Sequence, residues 1–250
     1  MQPSEVTAAP SVPVVERFTV GLALSRSLTI WLQNLPLFLG VALLAHVPEF
    51  VLTCLSIGSA PVLLGQRAAG FPTSLLGYIV TGLVTYSVLE QLRGRRPSVR
   101  KSLWIGMENF GPLFGTALLT SLMIGALLIL LVVPGVIASI RWMLVSPIVV
   151  AEDYADDPRI RSSTLTAGHR GELFGMLVVL YVGFAVFASA FYLGIDLLLR
   201  NQETVVGNAI VLLPSALFLS FRAVVEGVTY FLLRSEKEGV DVAQLTAVFE

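Results

Sequence analysis

Few residues in this chain are equipped for chemistry, and those that are lie inside long apolar stretches. Arg222 and Glu226 stand four apart, so on a helix they meet on one face. His46 and Glu49 flank Pro48, and Arg141 follows Pro134 by seven residues. An ionised group at membrane depth costs about 2.5–3.5 kcal/mol on insertion scales, so such groups must face protein or water and have partners. Arg141, Arg222, Glu226, Glu49 and His46 therefore form a candidate intramembrane polar core. It would either line a cavity or anion site, or consist of neutralising pairs, Arg222 with Glu226 and Arg141 with Glu49. Pairing is the preferred expectation, because no second signal identifies a ligand.

The remaining chemistry-bearing residues are sparse. His46 and His169 fall at different depths, and neither has a neighbour at the HExxH spacing of a zinc site. The chain has neither a GxSxG nucleophile elbow nor a P-loop. The acidic run Glu152, Asp153, Asp156, Asp157 lacks the alternation and closing Glu of an EF-hand, so it reads as a solvated loop. Cys54 is the single cysteine, which leaves no internal disulfide and no thiolate metal site. No catalytic set, metal site or cofactor is expected. One basic feature is stronger: Arg93, Arg95, Arg96, Arg100 and Lys101 crowd a membrane exit and should contact anionic lipid headgroups.

The elements that must position these residues follow from composition. The chain is 55% hydrophobic and 13% charged, with mean hydropathy +0.82. A soluble domain carries about a quarter charged residues, so the solvent of much of this chain must be lipid. A net charge of −1 excludes a broad basic surface for nucleic acid. Charge-free windows run over 27–48, 50–66, 68–89, 109–140, 173–195 and 204–221. The fourth would reach about 48 Å as one helix, against a hydrocarbon core of about 30 Å, and the Pro134–Gly135 pair marks a turn within it. Splitting it there gives six spans near 35–57, 72–92, 110–133, 135–151, 173–198 and 208–233. The expected fold is thus all-α, a polytopic membrane helix bundle.

Lys and Arg set the orientation. With the N-terminus inside, the cytoplasmic segments hold twelve of them and the opposite side only Arg67 and Arg200. This places both termini in the cytoplasm of a bacterial inner membrane. Residues 1–16 carry neither the basic nor the apolar region of a signal peptide and read as a disordered cytoplasmic tail. Residues 17–238 form the transmembrane domain, and 239–250 a short cytoplasmic tail.

Three segments share a frame. Arg26, Lys101 and Arg161 align, followed by Ser27, Ser102 and Ser162, then Asn34, Asn109 and His169, then Gly40, Gly115 and Gly175. In the first two copies Leu24, Leu28, Leu32 and Leu35 match Val99, Leu103, Met107 and Phe110, an i, i+4, i+8, i+11 stripe. These read as amphipathic interface helices near 18–34, 98–109 and 158–170, each feeding an odd-numbered span. The segment Thr85-Tyr86 to Glu90 also resembles Thr229-Tyr230 to Arg234. The unit would recur three times in parallel, unlike the inverted repeats of many transporters.

Two stretches carry a further likeness. The first contains Pro134-Gly135, Arg141-Trp142, Pro147 to Val150, Glu152, Arg161-Ser162 and Gly168 to Arg170. The second contains Tyr230, Arg234, Lys237, Glu238 and Gly239. In this order they resemble the membrane domain attached to some bacterial glycerophosphoryl diester phosphodiesterases, a family that also includes stand-alone members of unknown role. The resemblance covers the last half of the chain well and the N-terminal third loosely. It implies a helical membrane domain but no phosphodiesterase activity, since the barrel with its His and Glu metal ligands has no counterpart here.

The leading expectation is a non-catalytic membrane module binding lipid or a membrane-protein partner. The alternative is a small transporter or channel-like protein with a polar intramembrane pathway. A membrane-embedded lipid enzyme ranks third for want of an acid–base cluster. The orientation has a direct check. With Cys54 replaced by Ala, the Ser98→Cys variant should escape a membrane-impermeant maleimide in intact cells and react after permeabilisation; labelling from outside would contradict it.

Overall fold

The computed structural model describes residues 17–55, 62–92, 95, 97–152, 157–199 and 209–239. Among the described residues ten helices form: α1 (Val20–Gln33), α2 (Leu35–Leu55), α3 (Val62–Leu92), α4 (Val99–Glu108), α5 (Phe110–Leu130), α6 (Val132–Arg141), α7 (Val145–Ala151), α8 (Pro158–Leu165), α9 (Arg170–Leu199) and α10 (Leu213–Glu238). Six stretches are long and apolar enough to cross a membrane: Leu35–Leu52, Leu75–Leu92, Phe110–Leu130, Val132–Ala151, Arg170–Leu198 and Ala209–Glu238. The protein is an all-α, multi-pass membrane helix bundle.

The helices form three units, each a short helix, a long helix and a return. These are α1–α2–α3, α4–α5–α6/α7 and α8–α9–α10. The returns α3, α7 and α10 pack on one another at the centre. Each short helix packs on the return preceding it, α4 on α3 and α8 on α7, and α1 closes the ring on α10. The aligned serines explain the docking: Ser27, Ser102 and Ser162 are all buried on the inner faces of their short helices. Ser27 donates within its helix to Ala23 O at 2.6 Å, and Ser102 donates to Ser98 O at 2.9 Å while accepting from the Ser87 hydroxyl of α3 at 2.9 Å. Ser162 instead donates to Arg141 O at 2.7 Å and accepts from the Leu144 N–H at 3.2 Å. Asn34 and Asn109 likewise play one role, each ending its short helix with a side-chain bond to the carbonyl four residues back.

Side chains grade outward from this centre. All of Val145–Ala151 and Ala223–Leu233 is buried. Small polar residues tolerate that burial because their hydroxyls back-bond within the helix, Thr81 to Gly77 O and Thr85 to Thr81 O. α10 packs on α3 around Gly227, where a Cβ would make ordinary contacts of 3.5 Å to Val88 Cβ and 3.6 Å to Thr85 Cα. The long helices α2, α5 and α9 instead expose Leu, Val, Ile and Phe, among them Leu44, Leu122, Ile129, Val186 and Leu197.

Several boundaries differ from the sequence reading. The split of the long window falls at Leu131, the single extended residue between α5 and α6, and not at Pro134. Pro134 sits in the first turn of α6, where its missing N–H costs nothing. The fourth span is broken again at 142–144, so α6 and α7 replace one helix over 135–151. The third short helix ends at Leu165; Gly168, at φ 90°, turns the chain, and Arg170 already belongs to α9. Leu28, Leu32, Met107 and Phe110 point away from the bundle, while α1 docks through Ala23, Ser27 and Ile30. Val99 and Leu103 have side chains outside the described set.

The α5–α6 hairpin depends on Gly135. A Cβ there would meet Leu128 N at 2.7 Å and Leu128 Cγ at 2.5 Å, and a backbone atom cannot step aside. Gly135→Ala is expected to destabilise the protein by about 1–3 kcal/mol in detergent unfolding, as overpacking does. Gly171→Ala, where a Cβ meets nothing within 4 Å, should be close to neutral.

Candidate functional site: a polar cluster in an apolar cavity

A cavity of about 820 Å³ opens among α2, α3, α5, α6, α9 and α10. Most of its wall is apolar, including Leu128, Val136, Phe174, Val178, Phe184 and Phe218. Its polar part comes from His46, Glu49, Tyr78, Ser121, Tyr181, Arg222 and Glu226. The i, i+4 spacing on α10 brings Arg222 Nε to 3.3 Å from Glu226 Oε1. Arg222 Nη1 donates to the Tyr181 hydroxyl on α9 at 3.2 Å. On α3, Thr81 lies near the Glu226 carboxylate, and Tyr78 faces Arg222 and Ser121 of α5. Glu226 is almost fully buried, whereas the Arg222 side chain keeps 23% of its surface open to the cavity. The guanidinium has five N–H donors, and the bonds to Glu226 and Tyr181 leave donors for a guest.

His46 is buried, and its Nδ1 lies 2.8 Å from Ala42 O. A carbonyl can only accept, so Nδ1 carries the proton and Nε2 is left as the acceptor. This bond falls in the turn that Pro48 weakens by lacking an N–H.

Four of the five sequence-identified residues, His46, Glu49, Arg222 and Glu226, therefore share this wall, but Arg141 does not. It ends α6 as an exposed residue, with Nε donating to Ser163 Oγ at 2.9 Å. The break at 142–144 explains the displacement, since a continuous helix would have carried Arg141 along the span. Tyr78, Tyr181 and Ser121 were missed. The available signal was a tyrosine in the interior of an apolar span, away from the ends where membrane tyrosines concentrate.

A second polar assembly joins α7, α8 and α10. Glu152 accepts from Arg161 Nε at 2.8 Å and from the Tyr230 hydroxyl at 3.0 Å, and pairs with Arg234 at 3.3 Å. Glu238 pairs with Arg161 at 2.6 Å and with Arg234 at 3.0 Å. Burial disfavours the Arg161 charge, but Glu152 and Glu238 outweigh it and hold the guanidinium above its ordinary range. Lys237 caps the C-terminal end of α8 through Thr164 O and Ala167 O. Glu152 is thus no solvated loop residue; Asp153 and Asp156 lie outside the described residues. Ser162, His169 and Glu152 have separate partners, His169 binding Glu172 at 3.0 Å and Glu236 at 3.5 Å. Among the described residues no group of three or more His, Cys, Asp or Glu is placed to hold a metal.

In the basic stretch, Arg95 is exposed, as are Arg100 and Lys101 at the start of α4, with Lys101 Nζ 5.7 Å from the centre of the Tyr86 ring. Arg93 and Arg96 lie outside the described residues. Trp31 donates to Ser220 Oγ at 2.9 Å and packs edge-on against Phe221, which ties α1 to α10.

The chain matches no protein-family model, no curated protein and no solved structure.

The paired charges predict a mutational asymmetry. Glu226→Leu strands the Arg222 guanidinium and should cost about 3 kcal/mol, read as lost accumulation and a lower melting temperature. The double variant Arg222→Leu/Glu226→Leu should recover most of that loss. A double variant as damaged as the sum of the singles would show that the two charges do not act as a pair.

Proposed function

We propose that this protein is a non-catalytic module of a bacterial inner membrane that binds a lipid in the cavity beside Arg222. One observation carries the reading: a partly engaged guanidinium stands in the wall of an otherwise mostly apolar chamber. Such pockets suit a ligand with an apolar body and a few polar atoms. Glu226 cancels the Arg222 charge, so the polar end of the chamber favours ester carbonyls and glycerol hydroxyls over a free anion. Phe174, Val178, Phe184 and Phe218 offer the surface that an acyl chain would cover.

The orientation with both termini in the cytoplasm is part of the proposal and rests on the Lys and Arg distribution. In it, α1 and α4 are amphipathic helices in the cytoplasmic interface, with Leu28, Leu32, Trp104 and Met107 inserted among the lipids. Arg95, Arg100 and Lys101 would then reach anionic headgroups. Membership of the glycerophosphoryl diester phosphodiesterase membrane-domain family belongs to the same proposal. Its support is that many of the motif residues, Glu152, Arg161, Ser162, Tyr230, Arg234, Lys237 and Glu238, act together in fastening α7, α8 and α10. A second reading, a small transporter, is favoured by the titratable His46, Glu49 and Glu226 on the same wall.

Native mass spectrometry of the purified protein should show co-purifying lipid. Gly125 lines the cavity and has open space at its Cβ. Gly125→Phe should therefore fill the chamber and remove the lipid while leaving the melting temperature within a few degrees. Undiminished lipid in that variant would defeat the proposal, and proteoliposome flux of a polar solute abolished by Gly125→Phe would favour the transporter.

A further inference from the structure

Below the elbow between α6 and α7 lies a second depression, of about 570 Å³, whose wall includes Arg141, Asp157, Arg159, Ser163 and Arg170. We propose that it binds a phosphate group, of the kind carried by an anionic phospholipid headgroup.

The charge count comes first. Among the described residues Asp157 is the one carboxylate on the wall, and it is already spent. Arg159 Nε lies 2.9 Å from Asp157 Oδ1 and 3.1 Å from Oδ2, and the Arg159 backbone N–H donates to the same carboxylate as the cap of α8. The Arg159 side-chain bonds hold the Asp157 carboxyl below its ordinary range. That fork is neutral and stays so until acid protonates it.

Arg141 and Arg170 are different. Neither has a carboxylate partner among the described residues. Arg141 Nε donates to Ser163 Oγ at 2.9 Å, and Arg170 Nη2 donates to Ser163 O at 3.4 Å. One residue thus orients two guanidiniums from different units, Arg141 ending α6 and Arg170 opening α9. Each spends one donor on its position and keeps the rest. Two pre-oriented guanidiniums with spare N–H groups form the arrangement that binds phosphate by paired, charge-assisted hydrogen bonds. Counted over the described residues, the site carries two positive charges without a carboxylate partner.

The rim points to a lipid source. Ile160, 65% exposed, and Met123 flank the arginines. A diester bearing acyl chains can lay them on this apolar rim, which offers nothing to a free inorganic anion. Trp142 is shared with the larger cavity, but the arginines are not. The two sites can therefore fail separately.

The test uses the full chain in non-ionic detergent and titrates dihexanoyl phosphatidylglycerol, inorganic phosphate and dihexanoylglycerol, which lacks the phosphate. Phosphatidylglycerol should bind, dihexanoylglycerol should not, and Arg141→Gln/Arg170→Gln should weaken phosphatidylglycerol by about a hundredfold, the effect of two lost charge-assisted bonds. Arg141→Gln alone, at an exposed position, keeps the test valid if the double variant unfolds, and should weaken binding by about tenfold. Inorganic phosphate binding as tightly as the lipid would support the phosphate site and assign it to a free anion. Equal affinity of wild type and variants for phosphatidylglycerol, or equal binding of dihexanoylglycerol, would overturn it. Gly125→Phe should leave this binding unchanged, which separates its failure from that of the cavity.

Discussion

A charge carried into an apolar bundle has to bring its partners with it, and the Arg222–Glu226 pair shows what that demands. Burying either ion alone costs several kcal/mol, which no neighbouring contact repays unless geometry and hydrogen bonds are both good. Glu226 meets the demand with Arg222 on its own helix; Arg222 meets it with Glu226 and with Tyr181 on α9. α10 and α9 are thereby registered against each other. The cavity lies where this cluster meets the apolar faces of α5, α6 and α9, which is why the polar wall is concentrated at one place.

The same constraint operates differently at the end of the bundle that carries α1, α4 and α8. There the ions are only partly covered and share partners in a chain running Tyr230, Glu152, Arg161, Glu238 and Arg234. The chain fixes α8 against α7 and α10, while Trp31 and Ser220 fix α1 against α10. Because each short helix leans on the preceding return, the three units close into a ring, and no return helix at the centre lacks two neighbours of its own kind.

Much of this was legible in the sequence because its causes are local. Charge-free length marks a span whatever the tertiary structure, and the repeat of Ser27, Ser102 and Ser162 located three equivalent docking faces. The Arg222–Glu226 pair followed from helical spacing alone. What failed was set by contacts distant in sequence. Arg141 was assigned to the core because nothing local announced the break at 142–144, which depends on Ser162 holding both Arg141 O and Leu144 N–H. Glu152 looked solvated because Tyr230 and Arg234 are about eighty residues away.

The central claim is that the chamber beside Arg222 is occupied by lipid and not merely bordered by it. Photo-crosslinking with a phospholipid bearing a diazirine on its acyl chain, followed by peptide mapping, addresses this most directly. The account predicts adducts on cavity-facing residues of α9 and α10 such as Val178, Phe184 and Phe218, and their loss when the chamber is filled. Adducts confined to outward residues such as Leu44, Ile129 and Leu197, with none on the chamber wall, would contradict it.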